Sequence, residues 1–186
     1  YLGRALTGVG EREDSTAHLD EALTAERAAL EEQTRQGAFK DWADTEDNLA
    51  STLLALGKRK SGTARLEEAV AAERLALEQR QRDQTSRGWA FSEMGLGNAL
   101  AALAERQRSV PRTEEAIASI RGAAAVYQQM GDSDRLSEAQ SPSGSWRLNW
   151  PGCASDTGVV VPPLKATLDL WRSVGSTAAD LRAPTE

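Results

Sequence analysis

Leu96-Gly97-Asn98-Ala99-Leu100 is the third copy of one pentad, which stands earlier as Leu2-Gly3-Arg4-Ala5-Leu6 and as Leu49-Ala50-Ser51-Thr52-Leu53, with 47 residues from each copy to the next. A fixed period of this length is the signature of stacked supersecondary units. Outward from the pentads, Arg12, Arg59 and Arg106 close the three blocks, and Glu21-Ala22-Leu23 returns as Glu68-Ala69-Val70 and as Glu115-Ala116-Ile117. Arg27, Arg74 and Arg121 follow these triplets, and Trp42-Ala43 and Trp89-Ala90 fall on the same ruler. Residues 2–43 and 49–90 share 18 identities in 42 without a gap, more than two unrelated Ala-rich helices should share.

Each unit carries two helical patterns. In the second unit Trp42, Thr45, Leu49, Leu53 and Leu56 step by three or four and line one helix face. Lys58-Arg59-Lys60-Ser61-Gly62 reads as the connector after Gly57. Thr63 is the expected cap of a second helix over about 64–82, with Glu67 and Glu68 near its first turn, where acids suit the helix dipole. Leu66, Ala69, Val70, Glu73 and Leu77 mark its face, with Glu73 expected at the border, and Asp83-Gln84-Thr85-Ser86-Arg87-Gly88 breaks the pattern. Gly3, Ala50 and Gly97 in the first helices and Ala22, Ala69 and Ala116 in the second fit close helix crossings, which only small side chains permit. A lone pair cannot cover its own apolar face, so the pairs must stack. These patterns predict an all-α solenoid of about three helix–turn–helix units, near 1–41, 42–88 and 89–135, within an array covering 1–140.

The order Trp89, Leu96-Gly97, Leu100, Ala116, Ile120, Ala123 resembles the tetratricopeptide repeat family, and Trp42, Leu49-Ala50, Leu53, Ala69, Glu73 and Leu77 repeat it less completely. The likeness covers roughly 1–135. The usual unit has 34 residues and this one 47, so the helices or connectors must be extended; period alone suits HEAT and armadillo arrays, whereas the Trp, Leu-Gly and Ala order suits the tetratricopeptide side. The resemblance implies a right-handed α–α superhelix whose first helices line a concave groove for peptides or partner proteins, with no catalytic activity. One subgroup holds a peptide carboxylate with Lys, Arg and Asn residues on those helices. Asn98 matches one such Asn, Met94 stands where a Lys is expected, and Ser51 and Arg4 occupy Asn98's place in the earlier units.

The tail, 141–186, changes character. It holds three of the five Trp, five of the six Pro and the lone Cys153, and its only Glu is Glu186. Leu136-Ser137-Glu138-Ala139 starts a fourth first helix that Ser141-Pro142-Ser143-Gly144 stops. Gly158 to Pro163 reads as extended, and Leu164, Leu168, Trp171 and Val174 as a short amphipathic helix over 163–174 that would cap the array. A linker to another module and an out-of-frame translation are the other two readings. At the opposite end Tyr1 falls inside a helix, which suggests a piece of a longer array with an exposed, self-associating edge.

Composition narrows the partners. Twenty-two Lys+Arg against 28 Asp+Glu give a net charge of −6, which repels a phosphate backbone, so nucleic acid is not expected. No run of some eighteen apolar residues and no signal-peptide order is present, so the expectation is a soluble, cytoplasmic protein without membrane contact. One Cys and one His exclude an internal disulfide and a His/Cys zinc site, and no cofactor is expected. His18 and Cys153 read as a surface imidazole and an inert thiol rather than a base and nucleophile. Asp41, Asp44, Glu46 and Asp47 read as a solvated helix start rather than a metal or acid–base site. Gly95 and Gly97 read as packing glycines, Lys58-Arg59-Lys60 as a connector, Trp42 and Trp89 as wedges between pairs; Trp146, Trp150 and Trp171 lie outside the repeat. The expected function is a noncatalytic protein- or peptide-binding scaffold, with Arg4, Asp47, Ser51, Met94 and Asn98 as its binding residues. The alternatives are a structural spacer or oligomerisation module, and the repeat part of a larger regulator or enzyme.

Overall fold

The computed structural model describes residues 2–13, 16–36, 39–80 and 86–140, all within one compact unit, Tyr1–Leu148. These residues form helices and turns, with no strand among them. In chain order the helices are α1 (Leu2–Gly10), α2 (Ala17–Gln36), α3 (Phe39–Arg59), α4 (Ala64–Arg80), α5 (Arg87–Gln107), α6 (Val110–Met130) and α7 (Ser133–Gln140). The readings placed on 141–186, including the capping helix, lie outside the described residues.

Local chemistry sets the helix ends. The Thr63 carbonyl accepts the Glu67 N–H at 2.9 Å, so Thr63 opens α4 from the cap position. The Ser86 hydroxyl accepts the Trp89 N–H at 3.1 Å and caps α5. Pro111 sits at the start of α6, where a missing N–H costs no helical bond. Gly131 ends α6 in the left-handed region, φ 69°, and Arg108 takes the same region, φ 52°, between α5 and α6. Lys58 and Arg59 belong to the last turn of α3 rather than to the connector, where their charge suits the helix carboxyl end.

Consecutive helices pack against one another along the chain. The first helices also meet directly, α1 with α3 and α3 with α5, whereas the backbones of α2 and α4, and of α4 and α6, approach less closely and are linked by side-chain ion pairs. The helices thus lie in two layers, with the first-helix layer drawn closer together. One core cluster joins Leu19, Leu49, Leu53, Leu66, Leu96 and Leu100 among others. A second gathers Ala90, Met94, Ile120, Ala123, Tyr127 and Ala139, with Trp89 packed against it.

The period survives in the contacts. A Cβ on Gly10 would stand 2.7 Å from Leu19 Cδ2, and one on Gly57 2.5 Å from Leu66 Cδ2, the same clash one period apart. In the third unit both partners change, to Ala104 and Thr113: the small residue grows as the large one shrinks. Between units, Arg59 donates to the Glu11 carbonyl at 3.1 Å, and Arg106 to the Lys60 and Gly62 carbonyls at 2.6 Å each. Lys60 meets Asp20 at 3.4 Å, and Gln107 meets Glu67 at 3.1 Å. The ion pairs Arg27–Glu68 and Arg74–Glu115 repeat likewise. The block-closing arginines therefore tie each unit to the connector before it.

Two further sequence expectations are corrected. Glu73, expected at the border of its helix face, is 1% exposed. The acids at the start of α3 are not uniformly solvated: Asp41 and Asp44 are exposed, but Glu46 and Asp47, in the third turn, are buried.

Candidate functional site

The first helices carry a groove of about 470 Å³. From α3 it takes Ser51, Leu54, Ala55 and Lys58; from α5 it takes Phe91, Met94, Gly95 and Asn98. Arg135 and Glu138 of α7 and Glu11 and Arg59 complete the rim, and one α4 side chain, Glu73, reaches the lining. The apolar walls and the few polar groups make a surface that can hold a mixed side chain. Of the expected binding residues, Ser51, Met94 and Asn98 lie together in this groove. Arg4 is exposed on α1 and does not line it, and Asp47 lies buried as part of a network below.

That network is ionic. Arg80 Nη1 donates to both Asp47 oxygens, at 3.0 and 2.8 Å, and also to Ser92 Oγ, while Nη2 pairs with Asp44. Ser92 Oγ lies 2.7 Å from Asp47 Oδ1. Glu73 is hydrogen-bonded to Asp47. Its carboxyl fits because α5 has a glycine opposite: a Cβ on Gly95 would fall 1.9 Å from Glu73 Oε1. Burial raises the Glu73 proton affinity well above the ordinary carboxyl range, and the adjacent Asp47 adds to this. Burial likewise raises Glu46 to about 7, with Asp47 again contributing. Asp47 is also raised by burial, against the opposing pull of Arg80 and Ser92. The cluster thus holds more carboxyl groups than its one guanidinium can neutralise, and protons supply the difference.

A second buried acid lies one period earlier. Glu26 is 3% exposed, and burial raises it to about 7, opposed by the hydrogen bond from Thr52 at 3.2 Å. The Thr7 and Thr52 hydroxyls are 2.6 Å apart, so α1, α2 and α3 share this contact. Gly3 makes room: a Cβ there would stand 2.5 Å from Glu26 Cγ. Sequence reasoning missed Glu26 as a buried group, although the 47-residue match of Glu26 to Glu73, each on the core side of a second helix, was a usable signal.

His18 is half-buried and meets Glu13 Oε2 at 2.6 Å, a local pair at the start of α2. Cys153 lies outside the described residues. Among the described residues no group of three His, Cys, Asp or Glu side chains is placed to hold a metal ion, and no helix is long and apolar enough to cross a membrane. Compared with models of protein families, with curated proteins and with solved structures, the chain matches none of them.

Proposed function

We infer that the chain is a noncatalytic scaffold, built as a tetratricopeptide-like superhelix, that binds a peptide or a segment of a partner protein along its first helices. The groove carries this reading: α3 and α5 bring Ser51, Met94 and Asn98 to one open surface with Leu54 and Phe91 beside them. The direct contacts of α3 with α1 and α5 support a concave side on that layer. A preformed groove of this kind gains affinity from several modest contacts, so its loss by substitution should be graded. The test isolates a partner by affinity capture on the full chain and then measures its Kd against Ser51→Arg, Met94→Lys and Asn98→Asp, each checked for unchanged helicity. Each should weaken binding by about three- to thirtyfold, some 0.7 to 2 kcal/mol. Unchanged Kd in all three would sink the groove reading.

A self-association module is the second reading, favoured by Leu2 and Val9, exposed on α1 at 64% and 43%. Sedimentation over a hundredfold range of concentration separates the two. A mass that doubles, and stays single on Leu2→Glu with Val9→Glu, favours assembly through α1.

A further inference from the structure

The groove has one polar feature that its structural role leaves unsatisfied. Glu73 Oε2 is buried and has no hydrogen-bond partner among the described residues, although the same side chain lines the groove at the notch left by Gly95. An unmet buried acceptor is costly, and the cost falls away when a donor arrives. The cations on the rim are already engaged. Arg135 pairs with Glu138 at 2.9 Å and lies over the Phe91 ring, Arg59 donates to the Glu11 carbonyl, and Lys58 lies in the field of Glu11 and Glu105. Glu73 Oε2 is thus an acceptor at the groove that has no hydrogen-bond partner among the described residues.

We propose that the groove takes a lysine side chain of the bound polypeptide, with its aliphatic stem along Leu54, Ala55 and Met94 and its ammonium on Glu73 Oε2. The inference rests on the groove reading above. Lysine fits better than arginine because only one carboxyl oxygen lacks a partner. A compact ammonium needs a single acceptor, whereas a guanidinium realises its advantage on two. The stem explains the mixed walls, since a lysine buries its methylenes and presents only the head. Arrival of the ammonium favours the ionised carboxyl, against the burial and the adjacent Asp47 that raise its proton affinity. The charged groups facing Glu73 are Asp47 and Glu46 from α3 and Arg80 from α4; α5 presents Gly95 and the neutral Ser92. Affinity for lysine should accordingly rise with pH.

Pools of acetylated, amidated nonapeptides provide the test. Eight positions are randomised among uncharged residues and the centre is lysine, arginine or norleucine, the last keeping the stem without the charge. On the immobilised full chain the lysine pool should be retained about tenfold over norleucine and severalfold over arginine, as a charge-assisted hydrogen bond allows. Glu73→Gln, shown folded by circular dichroism, should bring the lysine-to-norleucine ratio to about one while norleucine retention holds. A readout on the unaltered chain covers the case in which that variant unfolds. With both methionines, Met94 and Met130, labelled at the methyl carbon, n-butylammonium chloride should shift Met94 in the groove and not Met130 on α6.

Equal retention of the lysine and norleucine pools, lost together on Asn98→Asp, would overturn the lysine assignment and leave the groove reading standing. Retention of no pool, or no Met94 response to n-butylammonium, would overturn the assignment, and the former would count against the groove as well.

Discussion

The packing of α3, α4 and α5 and the packing of α5, α6 and α7 use the same four positions of the repeat with opposite chemistry. In the first, Asp47, Glu73, Arg80 and Ser92 form a buried ionic network. One period later the same positions hold Met94, Ile120, Tyr127 and Ala139, all in one apolar cluster. Backbone geometry is shared and side-chain energetics are not. The apolar set gains from area removed from water and needs no partner. The ionic set must bring every partner together, and gains little unless it does. The stack therefore does not require charge at this level. Its presence between α3 and α5, beside the groove, is the feature that calls for a functional reason.

The largest test of this contrast removes the single cation. Arg80→Met should cost about 3 to 5 kcal/mol in urea unfolding, because Asp47 and Ser92 stay buried without their donor. The companion variant imports the later set whole, as Asp47→Met, Glu73→Ile, Arg80→Tyr and Ser92→Ala. It should recover that loss and end about as stable as the parent or some 1 to 4 kcal/mol above it, as apolar replacement of a complete ionic cluster does. If it is instead as unstable as Arg80→Met, the two packings are not interchangeable.

A smaller effect probes the helix crossings. Ala50 and Gly97 share a position, but a Cβ on Gly97 would stand 2.5 Å from Ile120 Cγ1 and 3.1 Å from the Ala116 carbonyl. Gly97→Ala should cost about 1 to 3 kcal/mol through overpacking, with partial recovery on Ile120→Val. Gly8→Ala is the control: nothing lies within 4 Å of its Cβ, so the better helix former should add about 0.5 to 1 kcal/mol. Thermal melts report both.

Acid dependence distinguishes the polar units further. Glu26 and Glu46 hold protons up to about 7 when folded, against 4.5 for an unperturbed side chain. Folding thus takes up protons between those values. The stability this supplies is full below pH 4.5, declines as pH rises to about 7, and is flat above. The Tm should fall by about 5 °C or more from pH 5 to pH 8, and Glu26→Gln with Glu46→Gln should flatten that slope. A Tm higher at pH 8 would contradict the burial of these acids.

The smallest effect belongs to the repeated surface pairs. Arg74→Ala breaks the exposed Arg74–Glu115 contact and should change stability by no more than about 1 kcal/mol in low salt, less in high salt.

Much of the architecture was legible before any coordinates. Apolar steps of three and four marked the helices, and the period marked the small residues at the crossings, Gly97 against Ala116 among them. Repeat register and the family resemblance together put Arg4, Ser51, Met94 and Asn98 on one surface; the last three meet in the groove, and Arg4 does not line it. The same register points Asp47 to that face, yet it turns inward to Arg80 and Ser92. The helical pattern puts Glu73 at a border, and it lies inside. Both of these inward turns concern charge, for which a local pattern assumes solvent.

What the chain's order of residues dictates here is the unit: helix, connector, helix, forty-seven residues on, with glycine or alanine wherever backbones must come close. Those choices are local or periodic, because helix propensity, capping and the width of an apolar stripe are settled within a few turns. Packing alone settles which acids go inside. Glu73 is tolerated because Asp47 comes from α3, Arg80 from the end of its own helix and an empty notch from Gly95 on α5. Their meeting is visible only once the helices are stacked, since the energy of a buried charge depends on partners from several segments at once.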